Sequence, residues 1–109
     1  MTSRAWLILI LAGIFEIAWA VGLKYTEGWS RLVPSLLTGI AMIASFLLLS
    51  SAVKTLPIGT AYAVWTGIGI VGAAILGIFL FKEPMGFSRL LFIVMILIGI
   101  IGLKFSSNS

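Results

Sequence analysis

Glu16 is the residue with the most chemistry to do in this sequence. It lies inside a long apolar stretch, with eleven residues from Ala5 to Phe15 before it and seven from Ile17 to Leu23 after it. The other two acids, Glu27 and Glu83, fall between such stretches. An acid at mid-membrane costs at least about 2.5–3.5 kcal/mol on insertion scales. No Lys or Arg lies inside any apolar stretch to neutralise it. Its countercharge must therefore come from outside the chain, as a proton or as a bound cation. The competing structural explanation is a permanently protonated Glu, hydrogen-bonded across a helix interface. An acid that holds a proton or a cation in turn is an exchange device: each leaves when the other arrives, and proton entry drives cation exit.

The surrounding residue types suit a cation. Trp19 lies three residues after Glu16 and Gly13 three before it, a spacing that shares one helical face. Tyr62, Trp65 and Thr66 form a second polar and aromatic face, continued by Gly69. Ser45 is central in its own stretch, seven residues from Thr38 on one stripe. Indole, phenol and hydroxyl donors can hold a carboxylate in position, and aromatic faces attract cations. A planar guanidinium matches a carboxylate as a two-pronged hydrogen-bonded pair. Plain packing accounts for the aromatic spacing equally well.

Composition excludes most other chemistry. The chain has no Cys and no His, so it has no disulfide framework, no thiolate metal site, and neither the commonest metal ligand nor the commonest general base. No nucleophile–base pair or metal cluster can be assembled, and the expectation is neither an enzyme nor a binder of metal or cofactor. The net charge of +4 comes from seven basic and three acidic residues scattered singly. That pattern leaves no footprint for nucleic acid and fits contact with anionic lipid headgroups.

The elements that must position Glu16 follow from hydropathy. Of the 109 residues, 61% are hydrophobic and 9% charged, against about 25% charged in a soluble domain. Apolar stretches cover 5–23, 32–53, 58–81 and 90–103. A bilayer core takes roughly 20 helical residues, so the first three fit as spans. The fourth reaches about 87–105 if Arg89 and Lys104 snorkel outward and Phe87 and Phe105 sit at the interface. Runs this continuously apolar do not alternate as barrel strands do. The expected fold is all-α and integral to the membrane, one domain of four transmembrane helices over residues 1–109. Ser30 and Ser88 are the expected caps of the second and fourth helices, with Pro34 in the first turn of the second and Pro57 opening the third. Arg4 and the run Ala18-Trp19-Ala20 mimic a signal peptide. Glu16 and the three later stretches argue against that reading.

Small residues and charge balance bear on assembly. Gly59, Ala63 and Gly67 form one small-residue stripe and Gly69, Ala73 and Gly77 another, which allows close helix approach in lipid. Gly67 and Gly69 are candidates for a hinge, and Gly99 and Gly102 for a subunit contact. With four spans, Arg4, Lys54 and Lys104 share one side, and Lys24, Arg31, Lys82 and Arg89 the other. Three against four is almost no bias under the positive-inside rule. Such a chain can insert both ways, and two copies of opposite orientation can pair as an antiparallel homodimer. Eight helices with two acids enclose a substrate better than four with one.

Three segments carry a family resemblance: Gly13-Ile-Phe-Glu-Ile-Ala-Trp-Ala-Val-Gly-Leu-Lys24, Arg31-Leu-Val-Pro34, and Lys54-Thr-Leu-Pro-Ile-Gly-Thr-Ala-Tyr-Ala-Val-Trp-Thr-Gly-Ile-Gly69. Through them the chain resembles the small multidrug resistance transporters from Ala5 to about Lys104. Trp19 after the acid, and Lys54 before Leu56-Pro57, are similar to the guanidinium-exporting subgroup, although Ile70 stands where that subgroup usually has Ala. The resemblance implies proton-coupled guanidinium export by a dual-topology antiparallel homodimer in a bacterial cell membrane. It implies substrate contact by Glu16 of both subunits, roles for Trp19, Ser45, Tyr62 and Trp65 around the acids, and the fourth helices as the main dimer contact. Export of quaternary ammonium or other lipophilic cations is the alternative within the family. A passive cation channel and an accessory subunit without transport are the alternatives outside it.

Overall fold

The computed structural model describes residues 2–106, which form four helices. They are α1 (Thr2–Tyr25), α2 (Leu32–Ala52), α3 (Ile58–Phe81) and α4 (Phe87–Ser106). No strand occurs among the described residues. All four helices are long and apolar enough to cross a membrane. At 1.5 Å per residue, the 24-residue α1 and α3 are about 36 Å long and the 20-residue α4 about 30 Å. α4 reaches that length because Phe87, Ser88, Arg89 and Lys104 join the helix instead of flanking it.

The helices run uninterrupted because their breakers sit at the ends. Pro34 is the third residue of α2, where a missing N–H leaves no bond unmade, and Pro57 is the N-cap of α3. Pro84 lies in the connector before α4. The α1–α2 connector is wound left-handed, with Glu27, Gly28 and Trp29 at φ of 48°, 73° and 69°. Thr26 anchors it. Its hydroxyl donates to the Leu23 carbonyl (2.8 Å) and accepts from the Trp29 amide (3.1 Å), while its own carbonyl receives the Ser30 and Arg31 amides.

Neither expected serine cap forms. The Ser30 hydroxyl donates back to the Glu27 carbonyl (2.7 Å), and Arg31 is the N-cap of α2 without a side-chain bond. The left-handed turn takes the Ser30 hydroxyl before α2 begins. Ser88 falls inside the first turn of α4, two residues past the N-cap position at Gly86.

Packing is uneven. α1 lies between α2 and α3 and packs extensively on both, whereas the backbones of α2 and α3 approach each other at few points and meet mainly through side chains. The backbone of α4 approaches only α3 among the described residues. The core is the α1 face Ala5, Trp6, Leu9 and Ala12 against Ala52, Leu56, Ala61, Val64 and Trp65. The outcome is a slab of 42 × 34 × 16 Å, little thicker than one helix with its side chains. Its two faces are covered with exposed Leu, Ile and Phe, as a chain solvated by lipid requires.

Candidate functional site

The site sits where α1 crosses α3. Close approach there depends on two glycines of α3. A Cβ at Gly69 would fall on the Glu16 carboxyl group, and one at Gly72 on the Ile17 side chain. A glycine of α1 completes the crossing: a Cβ at Gly13 would meet Ile68 at 2.7–2.9 Å. Glu16 therefore lies against bare α3 backbone, in a recess that exists because Gly69 has no side chain.

The three acids of the chain have different fates. Glu27 pairs with Arg31 at 3.6 Å and Glu83 with Arg89 at 2.7 Å, both at the slab's edge. Neither of these ion pairs involves Glu16, whose buried Oε1 has no hydrogen-bond partner. Four further side-chain atoms are buried and unbonded among the described residues: the Trp6 indole and the Ser35 hydroxyl, away from this crossing, and, near it, the indole Nε1 of Trp19, one turn along α1, and the Thr66 hydroxyl, one turn before Gly69 on α3. Three stranded polar atoms near one helix crossing are costly in an apolar medium, about 1–3 kcal/mol each.

Ser45 is fully buried and ties three helices together. Its hydroxyl donates to the Ala12 carbonyl of α1 (2.7 Å) and accepts from the Trp65 indole of α3 (2.8 Å). It bonds to these groups and not to the Glu16 carboxylate. Ala12 is four residues before Glu16, so its carbonyl is the one that the Glu16 amide meets in the α-helical ladder. Ser45 thus grips α1 by the backbone one turn from the acid.

The aromatic residues form a chain across the slab. Trp19 meets Phe46 edge-on (6.2 Å between centroids), Phe46 meets Trp65 (5.7 Å), and Trp65 meets Tyr62 (5.5 Å). Trp65 is buried and Tyr62 is 55% exposed, so the chain runs from the interior to a face. Phe46 is the link that the sequence reading missed. Its only sequence signal is adjacency to Ser45, since a mid-span Phe is otherwise an ordinary lipid-facing residue.

The remaining candidates are dispersed. Thr38 is buried against Gly22, which is six residues beyond Glu16 or about 9 Å along α1. There it lines an apolar groove of about 330 Å³ between α1 and α2, with Ala18, Tyr25 and Leu37. α3 continues as α-helix through Gly67 and Gly69. Gly67 gives room to Ile100 of α4, which a Cβ there would meet at 2.8 Å. Gly99 and Gly102 are exposed on α4 with nothing within 4 Å of a Cβ at either position. No group of three metal-ligating side chains occurs among the described residues.

Comparison with known proteins gives concordant results. The family pattern described as Small Multidrug Resistance protein matches residues 4–96. A protein named guanidinium exporter from Salmonella typhimurium is 60% identical over 104 residues, which are 95% of this chain and 99% of the relative. Proteins of the same name from Escherichia coli (59% over 104 residues) and Yersinia pestis (59% over 103 residues) cover 95% and 94% of this chain, and 99% of each relative.

Proposed function

This chain belongs to the small multidrug resistance family of membrane exporters, a transporter family and not an enzyme family, and from that premise we propose that it exports guanidinium in exchange for protons, with Glu16 as their shared site. The observation that carries the proposal is the contrast among the three acids: two are held by arginines of the same chain, and the Glu16 Oε1 has no partner. A carboxylate beside bare backbone in an apolar medium is stable only with a borrowed positive charge. Guanidinium brings that charge with planar N–H groups that fit a carboxylate two at a time, and relatives about 60% identical over nearly the whole chain are named guanidinium exporters.

The other residues take roles around this exchange. Trp19, one helical turn from the acid, and Thr66, one turn before Gly69, supply donors, and their unbonded state suits groups that change partner as proton and cargo alternate. Ser45 sets the height of α1 against α3 through the Ala12 carbonyl and holds the Trp65 ring in place. The rings of Trp19, Phe46, Trp65 and Tyr62 offer cation–π faces from the interior to the exposed edge. Gly67 and Gly69 lie where α3 would flex to switch access from one side to the other.

A slab 16 Å thick holds half a chamber. An antiparallel homodimer brings two such slabs together, with two Glu16 carboxylates facing a common cavity and the open α4 surfaces at Gly99 and Gly102 meeting. The balanced charges at the two ends of the helices suit insertion in both orientations. In that arrangement each acid titrates in the presence of the other.

The test is guanidinium uptake into proteoliposomes driven by a pH gradient. Wild-type protein accumulates guanidinium while protons move the other way, and Glu16→Gln, which keeps the shape and removes the charge, transports none. Full transport by Glu16→Gln refutes the proposal.

A further inference from the structure

The two ends of the slab differ in how their charges are satisfied. At the end formed by the α1–α2 and α3–α4 connectors, Glu27 and Glu83 each pair with an arginine. The opposite end has Arg4 near the start of α1, Lys54 just beyond α2 and Lys104 near the end of α4, with no acid among the described residues there. Lys104 lies over the Trp6 ring, 5.3 Å from its centroid. Arg4 and Lys54 take part in neither of the two ion pairs, and both line one groove of about 260 Å³.

The groove is graded along the membrane normal. Ser51 and Thr55 join the two cations in its wall, and Ala5 and Ile8 supply its apolar part. Ile8 is one helical turn deeper than Arg4, or about 6 Å. The cationic wall is held in shape by a tight turn after α2, in which the Lys54 amide bonds the Ser51 carbonyl (3.3 Å) and the Thr55 and Leu56 amides bond the Ala52 carbonyl (3.3 and 3.1 Å). Leu56, only 3% exposed, pins that turn to the core. The α1 N-terminus lies at the same end with no acidic residue in its first turn, and the helix dipole adds positive potential there. Because α1 is longer than the roughly 30 Å hydrocarbon core, its first turn reaches headgroup depth.

We propose that this groove binds the phosphate of an anionic phospholipid, with Arg4 and Lys54 on the phosphate, Ser51 and Thr55 as hydroxyl donors, and Ala5 and Ile8 along the start of an acyl chain. The charge complementarity decides the occupant. Apart from Glu16, which lies within the span, a second copy offers among the described residues only the connector acids, which Arg31 and Arg89 already hold. A free phosphate leaves the Ala5–Ile8 floor uncovered. An anionic lipid satisfies the cations and the floor together, and the site is separate from Glu16, so it stands or falls without the exchange reaction.

Native mass spectrometry of protein purified from mixed phosphatidylcholine and phosphatidylglycerol tests this. Wild type retains phosphatidylglycerol in excess of its share, and Arg4→Gln and Lys54→Gln each lower that excess about fivefold. Arg31→Gln removes one charge at the other end and retains the excess. Arg4→Lys keeps the charge and retains most of it, which separates loss of the site from loss of the fold. Unchanged retention in Arg4→Gln and Lys54→Gln overturns the proposal, as does an equal loss in Arg31→Gln, which makes net charge the cause. Displacement of the lipid by added inorganic phosphate overturns the lipid reading. So does the finding that Arg4→Gln breaks dimer cross-linking while no lipid is retained by wild type.

Discussion

Replacing Gly69 with Ala adds one methyl group where the Glu16 carboxyl lies. The new Cβ would come 2.9 Å from the Glu16 Cγ and closer still to the carboxyl carbon, well inside the ~3.5–4.0 Å optimum for carbon pairs. α3 is continuous helix at this point, so the acid must rotate away or the α1–α3 crossing must open. Overpacking of this kind costs about 1–3 kcal/mol, offset by the ~1 kcal/mol that Ala gains over Gly in a helix. Net destabilisation is therefore modest. The larger effect falls on binding: a carboxylate turned from its recess loses at least one charge-assisted hydrogen bond to guanidinium, about 1.5–3 kcal/mol, which is roughly tenfold to a hundredfold in Kd. Gly59→Ala on the same helix is the control, since a Cβ there meets nothing within 4 Å. Calorimetric titration of guanidinium into purified protein, paired with thermal unfolding, separates the two effects. A Gly69→Ala protein that binds and unfolds like Gly59→Ala refutes the close approach of Glu16 to the α3 backbone.

Ser45→Ala leaves the buried Trp65 indole without its acceptor and the Ala12 carbonyl without its second donor, so thermal unfolding should show a loss of about 1–3 kcal/mol; an unchanged protein would mean that water replaces the hydroxyl. The pH dependence of guanidinium binding has a definite sign. On the proposed shared site, a proton on Glu16 at low pH excludes the cation, so Kd should fall as pH rises, by up to about tenfold per pH unit for each proton displaced, and level off once the acids are ionised. A Kd independent of pH removes the shared site. In competition assays, guanidinium should displace bound guanidinium far better than a tetraalkylammonium of equal charge, because only guanidinium has N–H donors for the carboxylate. Equal displacement shifts the reading to export of quaternary ammonium cations.

The helices were legible because hydropathy is continuous across each one and the prolines and charges fall at their ends. Glu16 stood out for a related reason: an ionisable group inside an apolar helix is expensive enough to need a purpose. Which atoms meet was much less legible. The Ser45 hydroxyl had no readable partner in the sequence, because that partner is a backbone carbonyl of another helix, selected by the rotation of α1 against α2. Phe46 joined the aromatic chain for the same reason. Gly69 was expected as packing or hinge, and its role as the recess for the acid depends on the α1–α3 crossing point. The serine caps failed locally: Glu27, Gly28 and Trp29 adopt a left-handed turn that takes up Ser30, and α4 starts at Phe87, ahead of Ser88.

The thin attachment of α4 has a consequence for how the protein behaves at different concentrations. Its backbone touches one neighbour, and Ile93 is its one buried residue among those described. Within a single chain α4 is held along one side only, by Ile100 against Gly67 and by Arg89 on Glu83 and the Ala74 carbonyl, and its outer surface must be covered by lipid, detergent or another copy. If another copy covers it, the law of mass action governs its retention. Diluting the protein into more micelles should lower the midpoint of thermal melting, with α4 the first segment to loosen. Concentrating it, with no change in sequence, should restore the midpoint.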